Sequence, residues 1–226
     1  MSLELKTIFV FGPYGSGTTA VTGVLMRLGG RTSGSLSKTN DPRTPTSLED
    51  MGFKEMLHQL INEDNLSYRP EITELSVLET LNKFRMALWQ DSQKDPENSY
   101  PYILKQPMAC ILVTQIAKVF NPTKIVYVTR PLPDIEKSRI RRKWPEAFGA
   151  KGAHYLYQFL MGSVVDFATK PVWIHYSELE NHAESVVDKL ASLLDAPVTA
   201  DNRKDAIAWL ADHFKLHTNS SSGMNN

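Results

Sequence analysis

The sequence predicts an α/β fold of three layers, in which a mostly parallel sheet carries helices on both faces. Short, continuously apolar segments rich in β-branched residues recur along the chain, as is typical of strands that are covered on both sides. Segments with the apolar spacing of amphipathic helices lie between them. Strands that alternate with helices favour parallel pairing, because each helix returns the chain to the end of the sheet where the next strand starts.

Buried strands are predicted where apolar runs of strand length occur. The clearest is "TKIVYVT", and the full set comprises residues 7–11, 100–105, 123–129 and 171–176. Residues 31–47 carry almost no large apolar side chains, so we expect a long loop there.

Helices are predicted where apolar residues recur with helical spacing. These segments comprise residues 18–30, 47–61, 77–90, 107–120, about 133–144, 153–168, 178–195 and 205–214. Ser47, followed three residues later by Asp50, is the expected N-cap of the helix at 47–61. Pro107 is expected at the start of its helix, and Pro145 is expected to end another.

The composition narrows the class of protein. The 226 residues include 25 basic and 25 acidic side chains, so the formal net charge is zero. We therefore expect no nucleic acid partner and no binding to anionic membranes. The single cysteine, Cys110, excludes an intramolecular disulfide and lies in an apolar run, where we expect it to be buried.

The ends of the chain and its hydropathy predict a single cytoplasmic domain. The first residues lack the features of a signal peptide, and no apolar run approaches the length of about 20 residues that spans a membrane. No repeat or linker divides the chain, so residues 1–218 are predicted to form one α/β domain. The polar segment 219–226 is predicted to be a disordered tail.

A glycine-rich loop, "GPYGSGTT" at residues 12–19, follows the first strand and precedes the first helix. Gly15 and Gly17 permit a backbone that turns N–H groups toward one anion, and the helix adds its positive dipole end. Ser16, Thr18 and Thr19 add hydroxyl donors. The segment therefore predicts a phosphate-binding loop of a P-loop-like fold, although a turn of this kind also occurs as a purely structural connection.

The loop departs from the Walker A motif at one decisive position. Thr18 stands where a nucleoside triphosphatase places the lysine that neutralises the β- and γ-phosphates. The predicted strands also lack an acidic residue at their carboxyl ends for magnesium. ATP or GTP hydrolysis is therefore not expected.

A second anion site is predicted after the strand at 123–129. Arg130 follows this strand directly, and Ser138 lies eight residues later in the next helix. A guanidinium group binds phosphate bidentately, and a serine hydroxyl nearby can reach the same oxygens. We predict a second phosphate site separate from the glycine loop, which suits a ligand with two separated phosphate groups.

Together these segments resemble the sulfotransferases that depend on 3′-phosphoadenosine-5′-phosphosulfate (PAPS). The family has a loop similar to P-K/R-S-G-T-T at the 5′-phosphosulfate and an arginine–serine pair, eight residues apart, at the 3′-phosphate. Residues 16–19 match the loop, and Arg130 and Ser138 match the pair. The resemblance extends over roughly residues 5–197. It implies a P-loop-like fold, PAPS as co-substrate without a metal, and a small-molecule or carbohydrate acceptor.

Two catalytic positions of the family differ here. Gly15 stands where the family loop commonly has lysine or arginine, and Pro107 stands where many cytosolic members have the histidine base. Lys105, at the end of a predicted strand, resembles the lysine of the family's K-T-H segment, and we predict that it offsets the developing charge; the alternative is a solvated lysine. Other family branches use a glutamate as the base. Glu71 is our candidate, with Glu74 and Asp41 in similar irregular stretches, unless these carboxylates are ordinary surface charges.

Other chemistry-bearing residues give weaker signals. The basic cluster "KSRIRRK" at 137–143 is either a solvated face or a site for RNA or an acidic acceptor, and Arg141 or Arg142 is placed to face the 3′-phosphate. The histidines are scattered, so we predict no metal site. Residues 31–100 are expected to contribute the acceptor pocket.

Two alternatives to a sulfotransferase stay open from the sequence. A small-molecule kinase with a degenerate loop would bind ATP and magnesium, which Thr18 disfavours. A nucleotide-binding protein that lacks catalysis would retain the phosphate sites, and Gly15 and Pro107 are consistent with it.

Overall fold

The computed structural model describes residues 5–39, 45–95, 99–121, 123–163 and 170–218, with side chains up to residue 215. The predicted tail at 219–226 and Asp41 lie outside these residues. Within the described part, a four-stranded parallel sheet has the order β6-β1-β7-β8. Its strands are β1 (Thr7–Phe11), β6 (Tyr102–Lys105), β7 (Lys124–Thr129) and β8 (Val172–His175). All four predicted strands are confirmed.

Helices cover both faces of this sheet, which confirms the predicted α/β class. They are α1 (Thr18–Arg27), α2 (Met51–Leu60), α3 (Glu74–Ser92), α4 (Val113–Val119), α5 (Leu132–Arg142), α6 (Ala150–Ser163), α7 (Tyr176–Asn181), α8 (Ala183–Ala191) and α9 (Ala200–Thr218). Alternate side chains of β1 enter two cores, as the two-residue period of a strand requires. Phe9 and Phe11 pack with α2, α3 and α6, whereas Ile8 and Val10 pack with α1, α8 and α9.

Two small antiparallel hairpins stand apart from the main sheet. One pairs β2 (Leu36–Lys38) with β3 (Thr46–Asp50), and the other pairs β4 (Ile61–Asn62) with β5 (Ser67–Tyr68). The prediction of a loop throughout 31–47 is therefore wrong. The strands are short and mostly polar, so they carry little of the apolar pattern from which strands are predicted.

The N-terminus of α2 also differs from the prediction. Ser47 lies in β3, and the N-cap is Asp50, whose side chain accepts a hydrogen bond of 3.0 Å from the Phe53 N–H. Asp50 is buried and accepts two further bonds, from the Ser33 N–H at 2.9 Å and the Ser33 hydroxyl at 2.6 Å. The cap therefore also joins the hairpin region to α2.

Smaller differences concern how helices begin and divide. Residues Pro107–Leu112 form a 3-10 helix before α4, where the Gln106 side chain accepts from the Met108 N–H. The helix predicted at 178–195 is two helices, since His182 leaves helical geometry between α7 and α8. Cys110 is buried, as expected. Over the described ranges, no helix is both long and apolar enough to span a membrane.

Candidate active-site cleft

A cleft of about 610 Å³ opens at the carboxyl edge of the main sheet. Each strand of that sheet supplies lining residues from the segment that follows it, as expected for a ligand site in a parallel sheet. The described lining residues are Tyr14, Gly15, Gly17, Thr18, Thr19, Ser37, Lys38, Thr39, Ser47, Glu49, Lys54, Glu63, Lys105, Pro107, Arg130, Ser138, Arg141, Arg142, Trp144, Phe148, Tyr176 and His213.

The glycine loop after β1 forms one end of the cleft. Gly15 has φ +75° and Gly17 has φ +102°, values that favour glycine because a Cβ atom would clash with the backbone. A Cβ on Gly17 would also lie 2.9 Å from the Tyr176 ring, so the close approach of that ring requires glycine. Gly17 is the N-cap of α1, and the helix therefore starts at the cleft with its positive end.

Four of the five predicted loop residues line the cleft, and Ser16 does not. Gly15, Gly17, Thr18 and Thr19 are lining residues. Ser16 is fully buried, and its N–H donates to the Pro13 carbonyl at 3.1 Å to close the turn. Its hydroxyl has no hydrogen-bond partner among the described residues. Ser16 therefore stabilises the turn of the loop through its backbone N–H and does not line the cleft.

Arg130 lies against this loop. One terminal nitrogen of its guanidinium donates to the Gly15 carbonyl and to the Ser138 hydroxyl, each at 3.0 Å. The guanidinium also lies 3.7 Å from the centroid of the Tyr176 ring. The structure therefore brings Arg130 and Ser138 together, and it places them directly beside the glycine loop.

The Arg130 guanidinium is held so that part of its donor capacity is unused. Its backbone N–H donates to the Tyr157 hydroxyl at 2.8 Å, and that hydroxyl donates back to the Arg130 carbonyl at 3.1 Å. Within the described part of the chain, the buried Arg130 Nε has no partner. The guanidinium itself is held by the Gly15 carbonyl, the Ser138 hydroxyl and the Tyr176 ring, and a positive group held at the cleft suits an anionic ligand.

Lys105 lines the floor of the cleft in a buried ion pair. Its Nζ lies 2.9 Å from the Glu49 Oε1 and donates to the Ser47 carbonyl at 2.8 Å, and only 3% of the lysine is exposed. Lys54 approaches the other Glu49 oxygen at 3.5 Å. Burial alone would raise the pKa of Glu49, but Lys105 and then Lys54 outweigh it and lower that pKa. Burial lowers the pKa of Lys105, although Glu49 opposes the change.

The β2–β3 hairpin is hydrogen-bonded to the glycine loop through Ser47 of β3. The Thr19 hydroxyl donates to the Ser47 carbonyl at 3.3 Å, and this carbonyl also accepts from Lys105. Glu49, two residues further along β3, is therefore held close to the loop. The sequence does not single out Glu49 and Lys54, because both lie in the segment 47–61 that is predicted as a helix, whereas Glu49 belongs to β3.

Glu71 is not brought to the cleft. It lies exposed in the turn between β5 and α3 and is absent from the described lining residues, as is Glu74. The carboxylates among those residues are Glu49 and Glu63. Glu63 accepts a 2.6 Å hydrogen bond from the Tyr14 hydroxyl of the glycine loop, and its second oxygen lies 3.3 Å from the His58 Nε2. The role given to Glu71 thus has no geometric support.

The helical geometry of α5 separates the basic residues of 137–143 into some that line the cleft and some that do not. Lys137 pairs with Asp134 at 3.0 Å and Arg139 with Glu136 at 2.6 Å, away from the lining residues. Arg141 and Arg142 line the cleft. The described lining set then holds six basic residues, namely Lys38, Lys54, Lys105, Arg130, Arg141 and Arg142, against two glutamates. The cleft is thus positive in a chain of zero net charge, which suits an anionic ligand.

A metal would need a different set of side chains. Over the ranges that the structure describes, no group of three or more histidine, cysteine, aspartate or glutamate side chains is arranged to hold a metal ion. The anion-binding features of the cleft are backbone N–H groups, hydroxyls and cationic side chains.

Comparison with known proteins gives matches in structure and not in sequence. No family model and no curated protein matches the chain. The crystal structure of sulfotransferase STF9 from Mycobacterium avium aligns with a TM-score of 0.56 at 14% identity, over 93% of this chain and 69% of that one. Sulfotransferase STF1 from Mycobacterium tuberculosis H37Rv aligns with a TM-score of 0.61 at 12% identity, over 93% and 73%. At such low identity the likeness concerns the fold: the chain has the α/β fold seen in these sulfotransferases.

Proposed function

We propose that this protein is a sulfotransferase that moves a sulfuryl group from PAPS to a hydroxyl or amine acceptor. The observation that carries the proposal is the contact of Arg130 with both Ser138 and the glycine loop, at the mouth of a positive cleft. The glycine loop and the Arg130–Ser138 pair are then two adjacent groups that can each bind an anion. A nucleotide with phosphate groups at its 3′ and 5′ positions matches them, and the sulfotransferase fold agrees with that ligand.

The two groups divide the donor between them. The glycine loop and the start of α1 would hold the 5′-phosphosulfate, because successive N–H groups and the helix dipole favour an anion there. Thr18 and Thr19 line this end and add hydroxyls. Arg130 and Ser138, which both line the cleft, would hold the 3′-phosphate.

The transfer requires a proton acceptor, and we assign it to Glu49 in place of Glu71. The acceptor oxygen or nitrogen forms a bond to sulfur while the bond from sulfur to the 5′-phosphate oxygen breaks. The acceptor proton passes to the Glu49 carboxylate, and adenosine 3′,5′-bisphosphate leaves. Glu49 lines the cleft, and its pKa is lowered because Lys105 outweighs the effect of burial. The carbonyl of Ser47, two residues before it, accepts a hydrogen bond from Thr19 of the loop. Lys105 orients the Glu49 carboxylate. This positioning role is additional to the compensation of developing charge that the sequence predicts for Lys105.

Calorimetric titration with adenosine 3′,5′-bisphosphate tests the donor site. The wild type is expected to bind this nucleotide in the micromolar range and to bind ADP at least tenfold more weakly. Loss of a charge-assisted hydrogen bond costs about 1.5–3 kcal/mol, so Arg130→Ala should weaken bisphosphate binding by tenfold or more. Lys137→Ala, which removes an exposed cation of α5 outside the cleft, is the matched control.

Two results would overturn the proposal. Equal affinity for the bisphosphate and ADP would mean that no group recognises a 3′-phosphate. Tighter binding of ATP with magnesium than of the bisphosphate would point to a kinase instead.

A further inference from the structure

We infer that Glu63 is a positioning residue, whose hydrogen bond to Tyr14 holds the glycine loop in the conformation that binds the 5′ end of the proposed donor. The inference rests on the proposed function, since it assigns a role at that donor site. Glu63 lies in the turn between β4 and β5, and both Glu63 and Tyr14 line the cleft. The small hairpin of β4 and β5 thereby contributes to nucleotide binding.

The glycine loop needs support from outside because its backbone is intrinsically permissive. Gly15 and Gly17 have φ values of +75° and +102° in the structure, but glycine adopts many other conformations with similar ease. Ordering such residues at the moment of binding lowers affinity, whereas a loop that is already ordered avoids this cost. Tyr14 directly precedes Gly15 and has the largest side chain of the loop. A contact that fixes Tyr14 therefore also fixes the point from which the permissive segment starts.

The bond between Tyr14 and Glu63 is short. The Tyr14 hydroxyl donates to the Glu63 Oε1 at 2.6 Å, a length typical of a bond from a hydroxyl to a carboxylate, which is stronger than one between neutral groups. Burial is the main reason why the pKa of Tyr14 is raised well above its usual range, and the charge of Glu63 adds to the effect. The hydroxyl therefore keeps its proton and remains the donor. The Gln106 Oε1 lies further from the hydroxyl, at 3.5 Å.

The ring of Tyr14 is held by a separate set of contacts. It stacks on Phe148 with ring centroids 3.9 Å apart, and it packs edge to face against Trp144 at 6.4 Å. Aromatic packing of this kind fixes the plane of the ring, and the bond to Glu63 fixes the position of its hydroxyl end. The two sets of contacts come from different parts of the fold, since Phe148 precedes α6 and Glu63 follows β4.

Glu63 is itself held in place by its surroundings. Its second carboxylate oxygen lies 3.3 Å from the Nε2 of His58 on α2, and 21% of its side chain is exposed. Ile61 of β4 and Leu66 at the far end of the turn are buried in the core that contains Phe9 and Phe11. The carboxylate therefore meets the glycine loop from a fixed support.

Substitutions that remove only the hydrogen bond test this role. Tyr14→Phe removes the hydroxyl and keeps the ring, and Glu63→Ala removes the carboxylate. Glu63→Gln keeps an oxygen that can accept from Tyr14, so it is the conservative variant that should retain binding. Tyr155→Phe is the matched control, because Tyr155 is exposed on α6 and is absent from the described lining residues. If Tyr14→Phe is unfolded by circular dichroism, the two Glu63 variants carry the comparison.

Truncated nucleotides show which end of the donor site responds. Calorimetry would measure binding of adenosine 3′,5′-bisphosphate, adenosine 5′-monophosphate and adenosine 3′-monophosphate. Tyr14→Phe and Glu63→Ala are each expected to weaken the bisphosphate and the 5′-monophosphate by about fivefold or more. The 3′-monophosphate should change by less than about twofold, because Ser138 and Tyr176 also hold Arg130.

The remaining variants show whether the bond itself is responsible. Glu63→Gln and Tyr155→Phe should stay within about twofold of the wild type for all three nucleotides. The double variant Tyr14→Phe with Glu63→Ala should bind no more than about twofold more weakly than either single variant, because both substitutions remove the same bond.

The outcomes distinguish this inference from the proposed function. Unchanged 5′-monophosphate binding in Tyr14→Phe and Glu63→Ala, equal losses for the two monophosphates, or Glu63→Gln as weak as Glu63→Ala would each overturn the role of Glu63. Fully additive losses in the double variant would overturn it as well. A wild type that binds the bisphosphate no better than the 5′-monophosphate would overturn the proposed donor, while the 5′-monophosphate would still report on Glu63. A wild type that binds none of the three nucleotides would overturn both.

Discussion

At the scale of single residues, the Lys105–Glu49 pair has the largest energetic consequence. Both side chains are almost fully buried, and they meet at 2.9 Å on the floor of the cleft. Removing one partner of a buried pair leaves the other charge without compensation, whereas replacing both with apolar groups is often close to neutral. The pair is therefore essential to the local structure as well as to the proposed proton transfer.

Substitution of Lys105 alone is expected to destabilise the protein. Lys105→Met should lower the free energy of unfolding by about 3 kcal/mol, because the buried Glu49 loses its closest cation and retains the longer contact with Lys54. The double variant Lys105→Met with Glu49→Leu should recover most of this loss. Urea denaturation followed by circular dichroism measures both values. Lys124→Met, at the exposed pair with Asp195, is the control and should cost less than about 1 kcal/mol. A Lys105→Met variant as stable as this control would contradict the expectation.

The residues of the site differ in how far sequence could predict them. Arg130 and Ser138 follow a strongly apolar strand at a spacing that fixes their meeting, so their contact was predictable. The approach of Arg130 to the Gly15 carbonyl was not, because it depends on how closely β1 and β7 bring their following segments together. Glu49 was missed for a related reason: its place in the cleft is set by bonds of Ser47 to Thr19 and Lys105, which are distant in sequence.

At the scale of elements, the junction of β3 and α2 shows where the prediction was wrong. Ser47 and Asp50 both have side chains that cap helices, and the sequence alone favoured Ser47. The structure uses Ser47 in a strand and Asp50 as the cap, because β3 pairs with β2 at Thr46 and at Asp50, with an irregularity at Leu48, whose φ is +56°. Pairing with a partner elsewhere in the chain thus overrides the local preference.

Substitutions at the two candidate caps separate these assignments. Asp50→Ala should lower the free energy of unfolding by about 2 kcal/mol or more, because the Phe53 and Ser33 donors lose a buried acceptor. Ser47→Ala should cost less than about 1 kcal/mol, since the bond of its hydroxyl to the Ser37 carbonyl is long, at 3.3 Å, and the hydroxyl caps no helix. Urea denaturation of the two variants checks the order, and a larger loss from Ser47→Ala would restore Ser47 as the cap.

The main sheet, in contrast to the β2–β3 hairpin, could be predicted from local sequence alone. Each of its strands is a run of apolar residues long enough to be recognised without knowing its neighbours, and burial on both faces makes such runs continuous. The small hairpins have strands of two to five residues with polar side chains, so only their pairing defines them.

At the scale of the whole molecule, ligand binding and cooperativity can be tested together. Adenosine 3′,5′-bisphosphate at one hundred times its dissociation constant stabilises a folded protein by about 2.7 kcal/mol. For a chain of this length that should raise the melting temperature by roughly 5–10 °C. The proposed single domain over residues 1–218 further predicts one transition, with and without the nucleotide. Scanning calorimetry measures both, with Arg130→Ala as the control whose shift at the same nucleotide concentration should fall to about half or less. Two separable transitions would contradict the single domain.

The connection between β2 and β3 can change in length or sequence without affecting the main sheet. β1 and β6 pair directly in the sheet, although the whole hairpin and α2 lie between them in the chain. Insertions or replacements between β2 and β3 would therefore leave the register of the sheet, and with it Arg130, Ser138 and the glycine loop, unaltered. The chain between these two strands is thus open to evolutionary diversification, while Ser47 and Glu49 on β3 are constrained by their bonds to Thr19 and Lys105.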